Sequence, residues 1–238
     1  MIIDCLSIFP DIVSASLGQS IVGKACDKGL LEIRQLDIRD FTTDKHHSVD
    51  DIPYGGGAGM VFKPEPVIRA LKSVWRKESR VIHPSPAAPR FDQEAARLLA
   101  QEEHLIFIAS RYEGLDQRVI DAWVDLEYSL GDFVITGGEL ATSVFIDAIV
   151  RMIPGAVGKH ESVAQDSYYN GLLDYPHYTR PEELDGMRVP DVLLSGHHEN
   201  IRQWRKRQSI QRTQRLRPDL LQQSELDQES LRWLGEDS

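Results

Sequence analysis

Apolar and polar positions follow two alternating rhythms along the first two thirds of the chain. Residues 2–8 and 31–38 carry short, partly alternating apolar patterns that predict strands, whereas 64–77 places Val67, Ile68, Leu71 and Trp75 at helical spacing. The exchange then repeats, with a strand at 80–83, a helix at 92–101 and a strand at 104–109. The unbroken apolar run of that last strand suits a parallel sheet covered on both faces. A strand through Ser129, a second apolar stretch at 133–135 and a helix over 140–153 complete this half and predict an α/β layer fold.

After Pro154 the periodicity stops. The text GAVGKHESVAQDSYYNG is glycine-bearing and polar, the composition of a linker or an active-site loop. Residues 180–190 read as turns, and helices are expected at 197–214, near 218–222 and at 224–234. The expected organisation is a domain over 1–157, a flexible linker over 158–172 and a small, mainly helical domain over 173–238.

Composition narrows the class. The 238 residues are 41% hydrophobic and 8% aromatic, an ordinary globular balance that suits one large domain or two modest ones. No apolar run approaches the roughly 20 residues needed to cross a bilayer. The opening MIIDCLSIFPD has no basic segment or small-residue cleavage site, so a cytoplasmic location and no membrane partner are expected. Cys5 and Cys26 form neither a C-x-x-C pair nor a disulfide framework and read as reduced thiols. The formal charge of -10 hides an asymmetry. Arg202, Arg205, Lys206, Arg207, Arg212, Arg215 and Arg217 occur between 200 and 218 without an acid, and acidic residues dominate from Asp219 onward. A basic stripe in an acidic body points to a polyanion held at one place.

Several glycine clusters are candidates for chemistry. Gly18 to Lys24 has the spacing of a phosphate-binding loop, but Ala25 stands where a hydroxyl should meet magnesium and no strand runs directly into it. The run Tyr54-Gly55-Gly56-Gly57-Ala58-Gly59-Met60 lacks the dinucleotide spacing and reads equally as a flexible loop. Arg111-Tyr112-Glu113-Gly114 follows an apolar strand directly, at the sheet edge where α/β proteins bind ligands, although an ion pair alone would also account for it. The segment 129–140 has the strongest logic: Gly131 interrupts an extended stretch, and Gly137-Gly138 opens a helix with Glu139 in its first turn. The pairs His46-His47 and His197-His198 are sequence neighbours that do not face one another on a helix, and no metal site is expected from them.

Taken together, Ile8-Phe9-Pro10, the run from Pro53 to Met60, Arg111-Tyr112-Glu113-Gly114-Leu115-Asp116, Gly131-Asp132-Phe133 and Gly137-Gly138-Glu139-Leu140 resemble the bacterial tRNA (guanine-N1)-methyltransferase family. Asp174-Tyr175-Pro176-His177-Tyr178-Thr179-Arg180-Pro181 and Val192-Leu193-Leu194-Ser195-Gly196-His197 extend the resemblance in order, to about residue 220. It implies a trefoil-knotted, parallel-sheet α/β domain of the SPOUT methyltransferase class followed by the small helical domain. It implies, too, an obligate homodimer and methylation of guanine at position 37, beside the anticodon, with S-adenosylmethionine as donor.

Carried over residue by residue, the donor cradle comprises Pro84, Ser85, Pro86, Ser110, Tyr112, Glu113, Gly114, Leu130, Gly131, Asp132, Phe133, Val134, Ile135, Gly137 and Gly138. Asp166 is the implied base, assisted by Arg151. His177, Tyr178 and Arg180 are implied to order the linker or stack on RNA. The stripe of Arg202, Arg205, Lys206, Arg207, Arg212 and Arg215 is implied to meet phosphates of the anticodon arm. Magnesium dependence is a family expectation, with Glu113 and Asp166 as the carboxylates concerned. The chain departs from the family's usual text at Ala87-Ala88, where Gln-Gly is common, and at Ser110, where Gly is common. The rival readings are a non-catalytic RNA-binding module built on the stripe and a nucleotide hydrolase built on Gly18 to Lys24.

Overall fold

The computed structural model describes residues 1–158, 166–222 and 226–236. The chain divides into two units, Met1–Gly158 and Lys159–Ser238.

The first unit is built on five parallel strands: β1 (Ile2–Ser7), β2 (Glu32–Asp37), β5 (Ser79–Pro84), β6 (His104–Ile108) and β7 (Leu126–Tyr128). They lie in the order β2-β1-β6-β5-β7. The central strands carry apolar residues on both sides because both faces are covered. Leu105 and Phe107 of β6 enter one core with Ile3 and Cys5, while Ile106 and Ile108 enter another with Leu6 and Ile8. Helices α1 (Pro10–Leu17), α2 (Ser20–Asp27), α4 (Gln93–Leu99) and α6 (Gly138–Met152) cover the first face. Helices α3 (Pro64–Val74) and α5 (Gln117–Trp123) cover the second. A 3₁₀ turn (Ile38–Phe41) and the antiparallel pair β3 (Asp50–Asp51) and β4 (Val61–Phe62) lie between β2 and α3.

Local chemistry sets the helix starts. Pro64 takes the first turn of α3, where its missing N–H costs nothing. Asp92 caps α4 by accepting from the Ala95 amide at 2.9 Å, and Asp116 caps α5 by accepting from Arg118 N at 2.9 Å. Three expectations are corrected. Helix α3 ends at Val74 rather than 77, because Trp75 turns extended. Residues 133–135 join no strand and lie in the loop between β7 and α6, with Val134 84% exposed. Residues 117–123, without a predicted element, form α5.

The phosphate-loop spacing resolves into packing: Gly18 ends α1 and Gly23 sits inside α2, where a Cβ would lie 2.7 Å from Gly18 O. A polar chain crosses the sheet at its opposite end from the loops that follow β5, β6 and β7. Arg34 donates to buried Asp4 at 2.7 and 2.6 Å, and His104, also buried, meets Asp4 through Nε2 and Ser79 Oγ through Nδ1, both at 2.7 Å.

The second unit is mainly helical: α7 (Asp191–Leu194), α8 (His198–Leu216), α9 (Pro218–Leu221) and α10 (Gln228–Glu236). A short antiparallel pair, β8 (Glu183–Leu184) and β9 (Met187–Arg188), turns through Asp185-Gly186, both at positive φ as a tight hairpin requires. Thr213 of α8 is buried and accepts from the Leu173 amide at 2.9 Å, anchoring the segment around Leu173 to this helix. Of the expected linker 158–172, residues 159–165 lie outside the described residues; 166–172 form turns closed by a 2.8 Å bond from Tyr168 N to Leu172 O.

Candidate active site

In a parallel sheet the loops leaving neighbouring strands emerge on the same edge, and three of them meet here: those after β5, β6 and β7. Ser85 N donates to Tyr128 O and Phe91 N to Ser129 O, each at 2.9 Å, binding the first loop to the third. Gly138 N donates to Ser110 O at 2.8 Å, binding the third to the second. Between them is a cavity of about 450 Å³, within the range of small-molecule sites.

Its wall includes Pro84, Ser85, Pro86, Ser110, Tyr112, Glu113, Gly114, Leu130, Phe133, Val134, Ile135, Gly137 and Gly138. Gly131 and Asp132 stand apart from that wall. Asp132 pairs with Arg90 on the outside, and Gly131 shapes the loop instead: its φ is +155°, its amide donates to Ser129 Oγ at 3.1 Å, and a Cβ would strike the Phe133 ring at 2.9 Å. Among the wall residues that carry no sequence signal of their own are His83 and Tyr128. Both lie at strand ends, and only the meeting of β5 with β6 and β7 shows that they face a ligand space.

A buried carboxylate holds Arg111 of the wall. Glu139, 1% exposed in the first turn of α6, accepts from Ser7 Oγ at 2.8 Å and Arg111 Nε at 3.1 Å. The Arg111 guanidinium also lies 4.4 Å from the centre of the Phe9 ring. Arg111 is thereby held by Glu139 and Phe9, which orients the loop bearing Tyr112 and Glu113. The Glu113 carboxylate packs where a Cβ on Gly59 would be, 2.2 Å from Oε1, so within the glycine run it is Gly59 that serves close approach. Tyr112 adopts φ 58° and is exposed beside the cavity.

His83 is 4% exposed, with Nδ1 2.9 Å from Glu127 Oε1 and Nε2 2.9 Å from Ser110 Oγ. Burial holds its pKa below the ordinary histidine value, and the Glu127 carboxylate offsets that only in part. The imidazole is therefore neutral at pH 7.

Arg151 occupies the last turn of α6, half-buried and apart from the cavity wall. Asp166, also half-buried, lines a hollow of the second unit with Arg205 and Lys206, and its carbonyl accepts from Tyr169 N at 3.3 Å. His177, Tyr178, Arg180 and Arg205 share another hollow there, of about 1050 Å³, with Tyr175 and Trp204. Arg205 lies 4.9 Å over the Tyr175 ring, and Tyr178 and Trp204 are 6.3 Å apart. The Tyr178 ring is exposed and Tyr175 and Trp204 are half-buried; aromatic rings beside guanidinium groups suit unstacked bases.

The basic stripe is less free than the sequence suggests, because folding brings acids to it. Arg202 pairs with Glu199 at 2.6 Å and Arg217 with Asp219 at 2.7 Å, while Lys206 binds Glu229 at 3.1 Å as well as Asp227. Burial alone would lower the Lys206 pKa, but those two carboxylates outweigh it and raise it. Arg215 is exposed, Arg212 reaches the Asp174 carbonyl at 3.4 Å, and Arg207 is half-buried. Among the described residues, no group of three or more His, Cys, Asp or Glu side chains is placed to hold a metal ion, and no helix is long and apolar enough to cross a membrane.

Comparison with known proteins gives one consistent result. The family model described as "tRNA (Guanine-1)-methyltransferase TrmD" matches residues 1–223. Proteins named tRNA (guanine-N(1)-)-methyltransferase from Bacillus cereus (strain AH820) and Bacillus anthracis (strain A0248) are each 48% identical over 237 residues. A protein of the same name from Bacillus thuringiensis subsp. konkukian is equally similar. Each match covers 98% of this chain and 97% of the relative.

Proposed function

The chain belongs to the tRNA (guanine-1)-methyltransferase family, and from that premise we propose that it transfers a methyl group from S-adenosylmethionine to N1 of guanine in tRNA, at position 37. The observation that carries this reading is the cavity at the strand ends: it unites three loops rich in backbone polar groups, and thirteen of the fifteen residues expected to cradle the donor stand on its wall. Its size and mixed lining suit an adenosine-bearing ligand. A non-catalytic RNA-binding module needs no such cavity.

Guanine N1 carries a proton, so its lone pair becomes free to attack only as that proton leaves. In the proposed step the Asp166 carboxylate takes the N1 proton while N1 bonds to the methyl carbon. The carbon–sulfur bond breaks with its electron pair going to sulfur, turning the sulfonium into a neutral thioether. An ordinary aspartate has a pKa near 3.9, so the transfer is uphill unless the charge gathering on guanine O6 is stabilised; Arg151 supplies that positive charge. The cavity's part is alignment of sulfur, methyl and N1 in one line. The guanine leaves its stack to reach the donor. The aromatic and basic side chains of the second unit hold the anticodon arm, through phosphate contacts and stacking.

The trefoil knot, the homodimer with sites made from both subunits, and the cytoplasmic setting belong to the same proposal and rest on family membership. No step is routed through magnesium, because the described residues offer no group of three or more His, Cys, Asp or Glu side chains placed to hold it. The test is to incubate the chain with labelled S-adenosylmethionine and tRNA and digest the product. Label should appear in 1-methylguanosine, and label in another nucleoside, or none, would contradict the reading.

A further inference from the structure

Three side chains at the donor cavity form a relay that the proposed methyl transfer does not use. Glu127 of β7, His83 of β5 and Ser110 after β6 come from three neighbouring parts of the sheet, and the last two line the cavity. Both links are 2.9 Å. An ionised carboxylate can only accept a hydrogen bond, so the proton of the neutral imidazole sits on Nδ1, facing Glu127. Nε2 is then a bare lone pair, and the Ser110 hydroxyl must donate to it. With its proton committed, Ser110 Oγ has only lone pairs left to offer the cavity.

We propose that Ser110 is a specificity-determining contact of this pocket, fixed as a hydrogen-bond acceptor by the positioning residues His83 and Glu127. It selects a group of the nucleoside that donates a hydrogen bond and accepts none, the exocyclic amine. This rests on reading the cavity as the S-adenosylmethionine site. Protonation of His83 reverses the polarity. An imidazolium donates through both nitrogens, so Ser110 Oγ becomes the acceptor of that bond and turns its own proton to the ligand, donor against donor. The groups facing the ring are Glu127 from β7 and Ser110 from the turn after β6, with Arg111 and Glu113 on the same cavity wall.

The test is calorimetric titration of the full chain with S-adenosylhomocysteine between pH 7.5 and 5. Affinity should fall with pH, the slope approaching tenfold per unit once His83 must lose a proton for binding. His83→Gln, whose amide does not titrate in this range, should bind at pH 7.5 and lose that slope. Ser110→Ala should bind about two- to tenfold more weakly at pH 7.5, the worth of one neutral hydrogen bond, with a shallower slope. A wild-type affinity that is flat with pH, a slope surviving in His83→Gln, or unchanged affinity in Ser110→Ala each overturns the proposal. Should His83→Gln fail to fold, a nitrogen-15 NMR spectrum of the wild-type imidazole at pH 7.5 decides instead. The proton on Nδ1 supports the relay and the proton on Nε2 overturns it. Absence of wild-type binding at every pH would instead overturn the donor-site reading.

Discussion

Replacing Gly138 with alanine tests whether the start of α6 is pinned to the end of β6. A Cβ there would lie 3.1 Å from Ala109 Cα, 3.1 Å from Ser110 N and 3.3 Å from Ser110 O. All three atoms are backbone, so no flexible side chain can yield. The helix cannot simply retreat either, because Phe145, Ile146, Ile149 and Val150 are fully buried along it and Gly138 N is bonded to Ser110 O at 2.8 Å. Overpacking of this kind costs about 1–3 kcal/mol, and alanine's helical preference over glycine returns up to about 1 kcal/mol. With that full return the balance is a loss of up to about 2 kcal/mol, or up to about 8 °C in Tm for a chain of this size. Affinity for S-adenosylhomocysteine should fall as well, since Ser110, Gly137 and Gly138 share the cavity wall. Thermal unfolding and calorimetric titration read the two effects. Gly158→Ala is the control: a Cβ there meets none of the described residues within 4 Å, so its Tm should hold or rise slightly. Parental Tm and affinity in Gly138→Ala would refute the pinned geometry.

The other predictions concern chemistry, RNA and pH. Asp166→Asn should keep donor affinity while slowing methyl transfer by about 10²- to 10⁴-fold, the usual worth of a general base; parental turnover would remove Asp166 from that role. Replacing Arg202, Arg205, Arg212 and Arg215 with glutamine should weaken tRNA binding and flatten its dependence on salt, by about 0.7–0.9 in log-log slope per lost phosphate contact. An unchanged slope would contradict phosphate binding by α8. Burial, with the charges of Arg76 and Arg34, holds His104 below its ordinary pKa against the pull of Asp4. A depressed histidine is neutral when folded and charges more readily when unfolded. Stability is therefore greatest above the unfolded value near 6.5 and is lost as pH falls below it, by at most about 1.4 kcal/mol per unit for each such group. Urea titrations at pH 7.5, 6.5 and 5.5 should show that decline, and a flat profile would refute it.

Much of the first unit was legible because its strands are buried on both faces, so β6 appears as one apolar run and α3 as a clean helical stripe. The loop at 133–135 misled for the same reason. Phe133, Val134 and Ile135 are apolar without being core, and they stand exposed beside the cavity, where hydrophobicity alone resembles a strand. Helix α5 escaped notice because seven residues give fewer than two full turns of periodicity. The glycines at 137 and 138 were readable as an opening to close approach. His83 was not, since a histidine at a strand end has no pattern and acquires meaning only when β6 delivers Ser110 and β7 delivers Glu127. The basic stripe shows the converse limit: Lys206 looks like its neighbours in sequence, yet α10 and the turn before it bring Glu229 and Asp227 to its ammonium.

Methyl transfer to paired tRNA transcripts differing only at position 37 measures the central claim most directly. With guanine at 37 the chain should incorporate one labelled methyl group per tRNA from S-adenosylmethionine, recovered as 1-methylguanosine, and with adenine at 37 incorporation should vanish. Equal labelling of both transcripts, or labelling of neither, would contradict the account.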